Sequence, residues 1–320
     1  MAPSFQEIDT EAQDRWRELT AGDRPWIRIG TALCGQAAGC EPVLAAIEDA
    51  LRRQGLAAHV SRVGCLGLCY AEPLVDVQSP GGPRVFYGNV TPEDAEKIVA
   101  LHVGRGTPVE DLAIGYLADF AGTPQAAGAP SGIQDLDQHP MRLWETRIAL
   151  RNAGNIDPKD IYQYVANGGY GALQQALTEM SPEETLEQVN LSGLRGRGGA
   201  AFPTATKWRF LAGSNAPVKY ILCNCEEGDP GAFNDKAILE SDPHTLIEGI
   251  ILAGYATGSG NGYIFIRHGH EGPIETCRTA VRQAQELGLL GDNILGSGFS
   301  FQLEVALTGD SYVAGEESGL

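Results

Sequence analysis

The chain has 320 residues and a formal net charge of −18, with 23 Lys and Arg against 41 Asp and Glu. This length predicts more than one domain. Nucleic-acid binding requires Lys and Arg to displace phosphate counterions, so the acidic balance argues against a nucleic-acid partner. It argues equally against docking on an anionic membrane surface.

The sequence has no run approaching the ~20 consecutive apolar residues of a membrane span, so we expect no direct membrane insertion. Its N-terminus, MAPSFQEIDTEAQDRWRE, is polar and acidic, unlike a signal peptide or a presequence. We therefore expect a cytoplasmic protein, whose thiols stay reduced. There are seven cysteines, and four of them lie between residues 34 and 69, which favours a metal centre over disulfides.

The first half of the chain predicts a small α/β domain. After a polar N-terminal extension over residues 1–25, residues 26–104 contain one strand, WIRIG, and an amphipathic helix, EPVLAAIEDALRRQG. AHVSRV, PLVDVQ and PRVFYG predict further strands. Thr91 and Asp94 have the pattern of a capping box that begins a last helix. Residues 105–140 include the aperiodic AGTPQAAGAPSGIQ and are predicted to be a linker.

Residues 141–320 predict a second α/β domain that begins with helices. Ser181 and Glu184 have the pattern of another capping box. After a glycine-rich loop, VKYILCN, GYIFIR and SFQLEVAL predict strands separated by helices, as in a sheet with helices packed on it. Asp242-Pro-His244 is typical of a helix N-terminus, with His244 facing solvent.

Four cysteines are candidate ligands of one metal centre: Cys34, Cys40, Cys65 and Cys69. Four thiolates from two loops suit a [2Fe–2S] cluster, in which each iron takes two cysteines. They also suit structural zinc, although zinc loops usually have the tighter Cys-x-x-Cys spacing. Disulfides or inert thiols are a third interpretation, which a reducing compartment disfavours for disulfides. The other cysteines are predicted to pack in the core: Cys223, Cys225 and Cys277.

The glycine-rich loop runs from Gly193 to Gly199, with the sequence GLRGRGG. Without side chains, its backbone N–H groups can approach a phosphate or a planar cofactor. Lys207 offers a positive charge for such a phosphate. The loop lacks the strand–loop–helix order of a Rossmann fingerprint, and a purely structural turn explains it equally well.

Longer motifs carry two resemblances. CGQAAGC, GCLGLCYAEPLVDV and RVFYGNVTPEDAEKIV are similar to the thioredoxin-like [2Fe–2S] ferredoxin family, which includes the small iron–sulfur subunit of respiratory complex I. SGLRGRGGAAFPTATKW, CNCEEGDPGAFNDK, DPHTLIEG and SYVAGEESGL resemble, in order, the NADH-binding flavoprotein subunit of complex I and the diaphorase subunits of NAD(P)-linked hydrogenases and formate dehydrogenases. The resemblance implies a thioredoxin-like [2Fe–2S] domain followed by a Rossmann-like α/β domain that binds FMN and NADH.

The resemblance also implies roles for individual residues. The positions that match the family's FMN-binding residues are Gly196, Arg197, Gly198, Gly199, Lys207, Asn224, Glu226, Glu227, Tyr312, Gly315 and Glu316. The positions that match its NADH-binding residues are Phe202, Phe210, Asp229 and Glu317. Glu316 and Glu317 match the carboxylates next to the reacting rings. Ala201 and Ala205 stand where the family usually has glycine.

These resemblances imply an NADH:acceptor oxidoreductase subunit that works with other iron–sulfur subunits in a multi-subunit redox complex. A carboxylate at Asp229 favours NADH over NADPH, because it repels a 2′-phosphate. Relatives continue past the Gly-Glu-Glu motif into a segment that holds a [4Fe–4S] cluster, so we expect a fragment or a lost remainder. Two alternatives are an electron-relay or scaffold subunit without NADH oxidation, and a zinc-bearing adaptor.

Overall fold

The computed structural model describes residues 3–118, 129–309 and 311–316. Both helices and strands occur throughout these ranges, which confirms the predicted α/β class. Across the described ranges, we find no helix whose length and hydrophobicity together would let it cross a bilayer.

The chain folds as two units, each described here by itself. The N-terminal unit comprises residues 11–163 and 240–242. The C-terminal unit comprises residues 1–10, 164–239 and 243–320. The predicted division after residue 140 differs from this arrangement, because residues 141–163 belong to the N-terminal unit.

A five-stranded sheet forms the N-terminal unit, in the order β2-β1-β3-β4-β5. Its strands are β1 Trp26–Gly30, β2 His59–Val63, β3 Val75–Gln78, β4 Arg84–Tyr87 and β5 Ala113–Leu117. β1 and β2 are parallel, whereas the other neighbouring strands are antiparallel. The carboxyl ends of β1 and β2 therefore lie at the same edge of the sheet.

The helices of the first half of the chain are α1 Phe5–Ala21, α2 Leu33–Ala38, α3 Cys40–Gln54 and α4 Pro92–Ile98. The predicted apolar face of α3 is buried against strand residues, with Val43 and Ile47 in one hydrophobic cluster with Val75. Trp16 of α1 packs edge-on against Trp26 of β1, with ring centroids 5.6 Å apart. The predicted N-terminal extension therefore contains a helix that packs on the N-terminal unit.

β5 lies within residues 105–140, the segment predicted to be a linker. It pairs antiparallel with β4, and the Tyr116 N–H donates to the Gln134 carbonyl oxygen at 2.9 Å. The structure differs from the prediction here because a short apolar run such as AIGYL carries too little periodicity to indicate a strand. Most of AGTPQAAGAPSGIQ falls in residues 119–128, outside the described residues.

The C-terminal unit is built on a three-stranded sheet with the order β6-β7-β8. Its strands are β6 Tyr220–Cys225, β7 Asn261–Arg267 and β8 Gln302–Thr308. The helices of this half of the chain are α5 Ile161–Ala166, α6 Gly171–Glu179, α7 Pro182–Leu191, α8 Thr204–Ala212, α9 Asn234–Ser241, α10 Pro243–Thr257 and α11 Glu271–Glu286. All three strands are parallel, so their carboxyl ends share one edge. Ligands bind at this edge in open α/β sheets.

Both predicted capping boxes are confirmed. At the start of α7, the Ser181 hydroxyl accepts from the Glu184 N–H at 3.2 Å, and the Glu184 carboxylate accepts from the Ser181 N–H at 2.8 Å. Thr91 and Asp94 make the same reciprocal pair at the start of α4. Capping boxes are predictable from sequence because all their atoms lie within one helical turn.

His244 is buried near the start of α10, so the prediction that it faces solvent is wrong. Its Nδ1 lies 3.0 Å from the Tyr170 hydroxyl, and its Nε2 lies 3.1 Å from Oε1 of Gln283. Burial lowers the pKa of His244 to about 4. The local pattern of a helix N-terminus does not reveal this environment, because both partners come from distant helices or turns.

Candidate cofactor sites

Three cysteine thiols meet where the parallel strands β1 and β2 end. Cys34 lies in α2, shortly after β1, and Cys65 follows β2 in the chain. Cys69 begins a single 3₁₀ turn. The three Sγ atoms all lie within 4.8 Å of one another, and those of Cys65 and Cys69 are 3.5 Å apart. Converging thiols of this kind can hold an iron–sulfur cluster or a zinc ion.

The surroundings of Cys65 favour its thiolate. Hydrogen bonding from Cys34 is the main cause that lowers the pKa of Cys65 to about 6, and the Gly67 N–H, which donates to its Sγ at 3.2 Å, adds to it. The guanidinium of Arg147 contributes a positive charge and donates to the Leu66 carbonyl oxygen. Because thiolates rather than thiols bind metals, this group is suited to a metal centre.

Cys40, the fourth predicted ligand, is not part of this group of three. Its side chain is fully buried in the hydrophobic cluster that contains Val43 and Ile47. Gly39 ends α2 in the left-handed conformation, at a φ of 91°, and α3 begins at Cys40. The two cysteines of CGQAAGC therefore belong to different helices.

A carboxylate lies next to the three thiols. Glu72 is 6% exposed, and its Oε1 lies 3.8 Å from the Sγ of Cys34. Its Oε2 accepts a hydrogen bond from the Leu74 N–H at 2.8 Å. Burial raises the pKa of Glu72 to about 7. Sequence reasoning missed Glu72, and the available signal was its position three residues after Cys69.

In the C-terminal unit, two predicted FMN-binding segments meet at the carboxyl edge of the parallel sheet. Asn224 lies at the end of β6, and its Nδ2–H donates to the Gly315 carbonyl oxygen at 2.7 Å. The Asn224 Oδ1 accepts from the Glu226 N–H at 3.3 Å. The structure thus brings together three predicted cofactor-binding residues from segments far apart in the sequence.

The carboxylate of Glu226 is 2% exposed and pairs with Arg267, the last residue of β7, at 3.1 Å. Gly228 packs against this pair. A Cβ on Gly228 would lie 2.6 Å from Oε2 of Glu226, 3.0 Å from the Arg267 guanidinium and 3.1 Å from the Tyr312 carbonyl oxygen. Arg267 is a residue that sequence reasoning missed, because its partner is supplied by a neighbouring strand.

Glu227 and Asp229 serve local structure in different ways. Both carboxylate oxygens of Glu227 accept backbone N–H groups at the start of α9, from Asp235 at 2.8 Å and Lys236 at 2.9 Å. Lys236 Nζ lies 3.8 Å from the same carboxylate. Asp229 is exposed, and its Oδ1 accepts from the Gly231 N–H at 3.0 Å. Glu227 therefore fixes α9 to the sheet edge, whereas Asp229 stays open to solvent.

The glycine-rich loop is an exposed turn between α7 and α8. The Gly196 N–H donates to the Phe202 carbonyl oxygen at 2.9 Å, which closes the base of the loop. A Cβ on Gly198 or Gly199 would meet no protein atom within 4 Å, and Gly199 has a φ of 111°. Arg197, between these glycines, is exposed. The loop therefore presents a side-chain-free surface at which a phosphate or ring could approach the backbone.

Aromatic and basic side chains follow this loop. Phe202 and Phe210 are 46% and 69% exposed, and their ring centroids lie 6.4 Å apart. Lys207 is exposed on α8 between them. Ala201 has a φ of 49°, the left-handed conformation that favours glycine. Ala205, the other position where the resemblance implies glycine, is a buried residue of α8.

Of the last motif, the structure places Tyr312 and Glu316 in exposed turns after β8. Glu317, predicted to be catalytic and to bind NADH, lies outside the described residues. Cys225 and Cys277 are buried, as predicted for core residues. Cys223 is half-buried, and its Sγ lies 3.7 Å from that of Cys225.

Residues 189–320 match the family model described as the Nuo51 FMN-binding domain, which covers the glycine-rich loop and the whole parallel sheet. This part of the chain belongs to the complex I flavoprotein family. Two relatives are HndC, a component of the NADP-reducing hydrogenase of Solidesulfovibrio fructosivorans, 47% identical over 55% of this chain and 36% of the relative, and the NADH-quinone oxidoreductase F component of Aquifex aeolicus, 48% identical over 54% of this chain and 40% of the relative.

The corresponding NADH-quinone oxidoreductase component of Escherichia coli is a more distant member of the flavoprotein family, 36% identical over 59% of this chain and 41% of the relative. The chain spans about two fifths of the length of these curated relatives. Among solved structures, an NAD⁺-reducing [NiFe]-hydrogenase aligns with 98% of this chain and 50% of its own, with a TM-score of 0.44 and 20% identity. The thioredoxin-like [2Fe–2S] ferredoxin of Aquifex aeolicus aligns with 29% of this chain and 98% of its own, with a TM-score of 0.26 and 26% identity.

Proposed function

We propose that this chain is the NADH-oxidising component of a multi-subunit oxidoreductase, with FMN in the C-terminal unit and a [2Fe–2S] cluster in the N-terminal unit. The carrying observation is the hydrogen bond from Asn224 to Gly315 at the carboxyl edge of the parallel sheet. It joins two motifs of a domain that matches an FMN-binding family. The edge is also where the fold leaves room for a ligand.

The residues of the C-terminal unit fit FMN. The loop from Gly196 to Gly199 would accept the flavin against a backbone that has no side chain in the way. Lys207 would pair with the phosphate, and Asn224 would direct its amide towards the polar edge of the ring. Bound FMN supplies the chemistry that converts a hydride from NADH into electrons passed on one at a time.

The chain itself supplies position and electrostatics for that chemistry. Arg267 neutralises Glu226 beneath the site, so a buried carboxylate does not repel the phosphate-bearing cofactor. Glu227 holds the start of α9 in place. Glu316, exposed after β8, would lie beside the reacting rings together with Glu317.

NADH would be held by the aromatic pair Phe202 and Phe210, which are exposed enough to stack on its adenine. Asp229 would face the adenosine ribose. Its exposed carboxylate accepts the hydroxyls of that ribose and repels a 2′-phosphate, which favours NADH over NADPH.

In the N-terminal unit, Cys34, Cys65 and Cys69 would hold the cluster, since their sulfur atoms already converge. The electrons would leave to other iron–sulfur subunits of a complex in the cytoplasm. A zinc ion in place of the cluster would leave the N-terminal unit without a redox role, so metal and sulfide analysis decides between the two interpretations.

The experiment is anaerobic reconstitution of the full chain with FMN, followed by NADH. We expect flavin absorbance to bleach on addition of NADH and to return when an artificial electron acceptor is added. Lys207→Met should weaken FMN binding about tenfold or more, because it removes a charge-assisted bond to the phosphate. The matched control is Lys97→Met, an exposed lysine of α4 in the other unit, which should bind FMN as the unaltered chain does.

Flavin that binds with normal affinity but is never reduced by NADH would support the electron-relay or scaffold alternative. Failure of the full chain to bind FMN at all would remove the flavin assignment itself. Equal FMN affinity in the Lys207 and Lys97 variants would mean that the phosphate lies elsewhere.

A further inference from the structure

The carboxylate of Glu72 is buried without a counter-charge. Glu72 is 6% exposed, yet in the described ranges no Lys, Arg or His forms an ion pair with it. By contrast, the buried carboxylate of Asp76 in the same unit pairs with both Arg28 and Arg84. Buried carboxylates in proteins are paired with a cation, or they bind a metal. Glu72 therefore lacks the partner that its burial requires.

The fold keeps a space for this carboxylate at the edge that carries the thiols. A Cβ on Gly30, the last residue of β1, would lie 2.8 and 2.9 Å from the two carboxylate oxygens. A Cβ on Gly35, the neighbour of Cys34, would lie 3.3 Å from Oε2. Any side chain at Gly30 would displace the carboxylate from its position 3.8 Å from the Cys34 sulfur.

The number of thiols leaves one ligand position to fill. A [2Fe–2S] cluster takes four protein ligands. Three cysteine sulfurs converge, whereas Cys40 is fully buried among apolar side chains. A carboxylate oxygen is an established ligand type for iron in proteins. Glu72 is the carboxylate that reaches the group of thiols.

We propose that Glu72, rather than Cys40, completes the ligand set, giving a cluster bound by three thiolates and one carboxylate oxygen. This inference rests on the proposed function, because it requires that the N-terminal unit binds a [2Fe–2S] cluster. One iron would then have two thiolate ligands, and the other would have one thiolate and one oxygen. The two irons would be chemically different already in the oxidised cluster.

Mössbauer spectroscopy of the full chain, purified anaerobically with iron enriched in the active isotope, tests this difference directly. We expect two quadrupole doublets of equal area with distinct isomer shifts in the oxidised protein. Glu72→Cys should merge them into the single doublet of an all-thiolate cluster. One doublet in the unaltered chain, identical to that of Glu72→Cys, overturns the proposal.

The matched control is Cys40→Ala, which should keep the iron and sulfide content and both doublets. Cys34→Ala should lose most of the iron. Loss of the cluster in Cys40→Ala, with folding retained by circular dichroism, overturns the proposal. A purified chain that contains zinc, and neither iron nor sulfide, overturns the cluster assignment in the proposed function and this inference with it.

Discussion

The side-chain amide of Asn224 donates a hydrogen bond to the carbonyl oxygen of Gly315 at 2.7 Å, across 91 residues of sequence. Asn224 ends the edge strand β6, and Gly315 lies in the turns that follow β8. β6 and β8 are separated in the sheet by β7, so this bond spans the carboxyl edge. It ties the two halves of the proposed flavin site to one another.

Replacing Asn224 by Ala should weaken FMN binding. The change removes the bond to Gly315 and the acceptor of the Glu226 N–H, and each such bond is worth about 1 kcal/mol. We expect FMN affinity to fall about fivefold or more, measured by quenching of flavin fluorescence. Asn190→Ala changes an exposed asparagine of α7 and serves as the control. Equal affinities for the two variants would contradict a role for Asn224 in the site.

Gly228→Ala should destabilise the C-terminal unit for a steric reason. The added methyl would meet the Glu226 carboxylate at 2.6 Å and the Tyr312 carbonyl oxygen at 3.1 Å. Overpacking of this kind costs about 1–3 kcal/mol, and we expect that loss in urea unfolding. Gly231→Ala is the control, because its Cβ would meet only Oδ1 of Asp229, at 3.7 Å. A similar loss in both variants would mean that the clash at Gly228 is relieved.

Ala201→Gly should stabilise the chain. Ala201 has a φ of 49°, and this conformation costs a residue with a Cβ about 1–2 kcal/mol. Glycine removes this strain but gains entropy in the unfolded chain, so the net gain should be about 0.5–1 kcal/mol. Ala205→Gly is the opposite case, because Ala205 is buried in α8, and it should destabilise by about 1 kcal/mol. Both changes restore a glycine that the resemblance implies, so destabilisation by Ala201→Gly would refute the argument from φ.

Sequence reasoning succeeded where the interacting atoms are close in the chain. The capping boxes at Ser181 and Thr91 lie within single helical turns, and the strands β1, β2 and β6 follow from their own side-chain patterns. The convergence of Cys34 and Cys65 also follows from the chain, since each cysteine comes after one strand of a parallel pair. Long motifs were sufficient to identify the family of residues 189–320.

Sequence reasoning failed where burial is decided by distant partners. Glu72, Arg267 and His244 are ordinary polar residues in the sequence, and only the packing of remote elements shows that each is buried or paired. The spacing of Cys40 suggested a ligand, but spacing does not show that α3 turns its first side chain into an apolar cluster. β5 was missed because its five residues carry no alternation.

Acid should destabilise the C-terminal unit through His244. Burial lowers the pKa of His244 to about 4 in the folded protein, whereas an unfolded histidine titrates near ~6.5. Between these values the unfolded chain binds the extra proton, so stability is full above pH ~6.5 and is lost as the pH falls towards ~4, by at most about 1.4 kcal/mol per pH unit. Urea unfolding across this range measures the slope.

His244→Gln should flatten that slope, because glutamine can still bond to Tyr170 or Gln283 but has no proton to gain. The pKa of His102 is also lowered by burial, to about 4, so a second histidine contributes to the pH dependence. His102→Gln is therefore the matched control: it should remove its own share and leave the share of His244. If His244→Gln keeps the full slope of the unaltered chain, the imidazole is not held neutral between Tyr170 and Gln283, and its burial does not account for acid sensitivity.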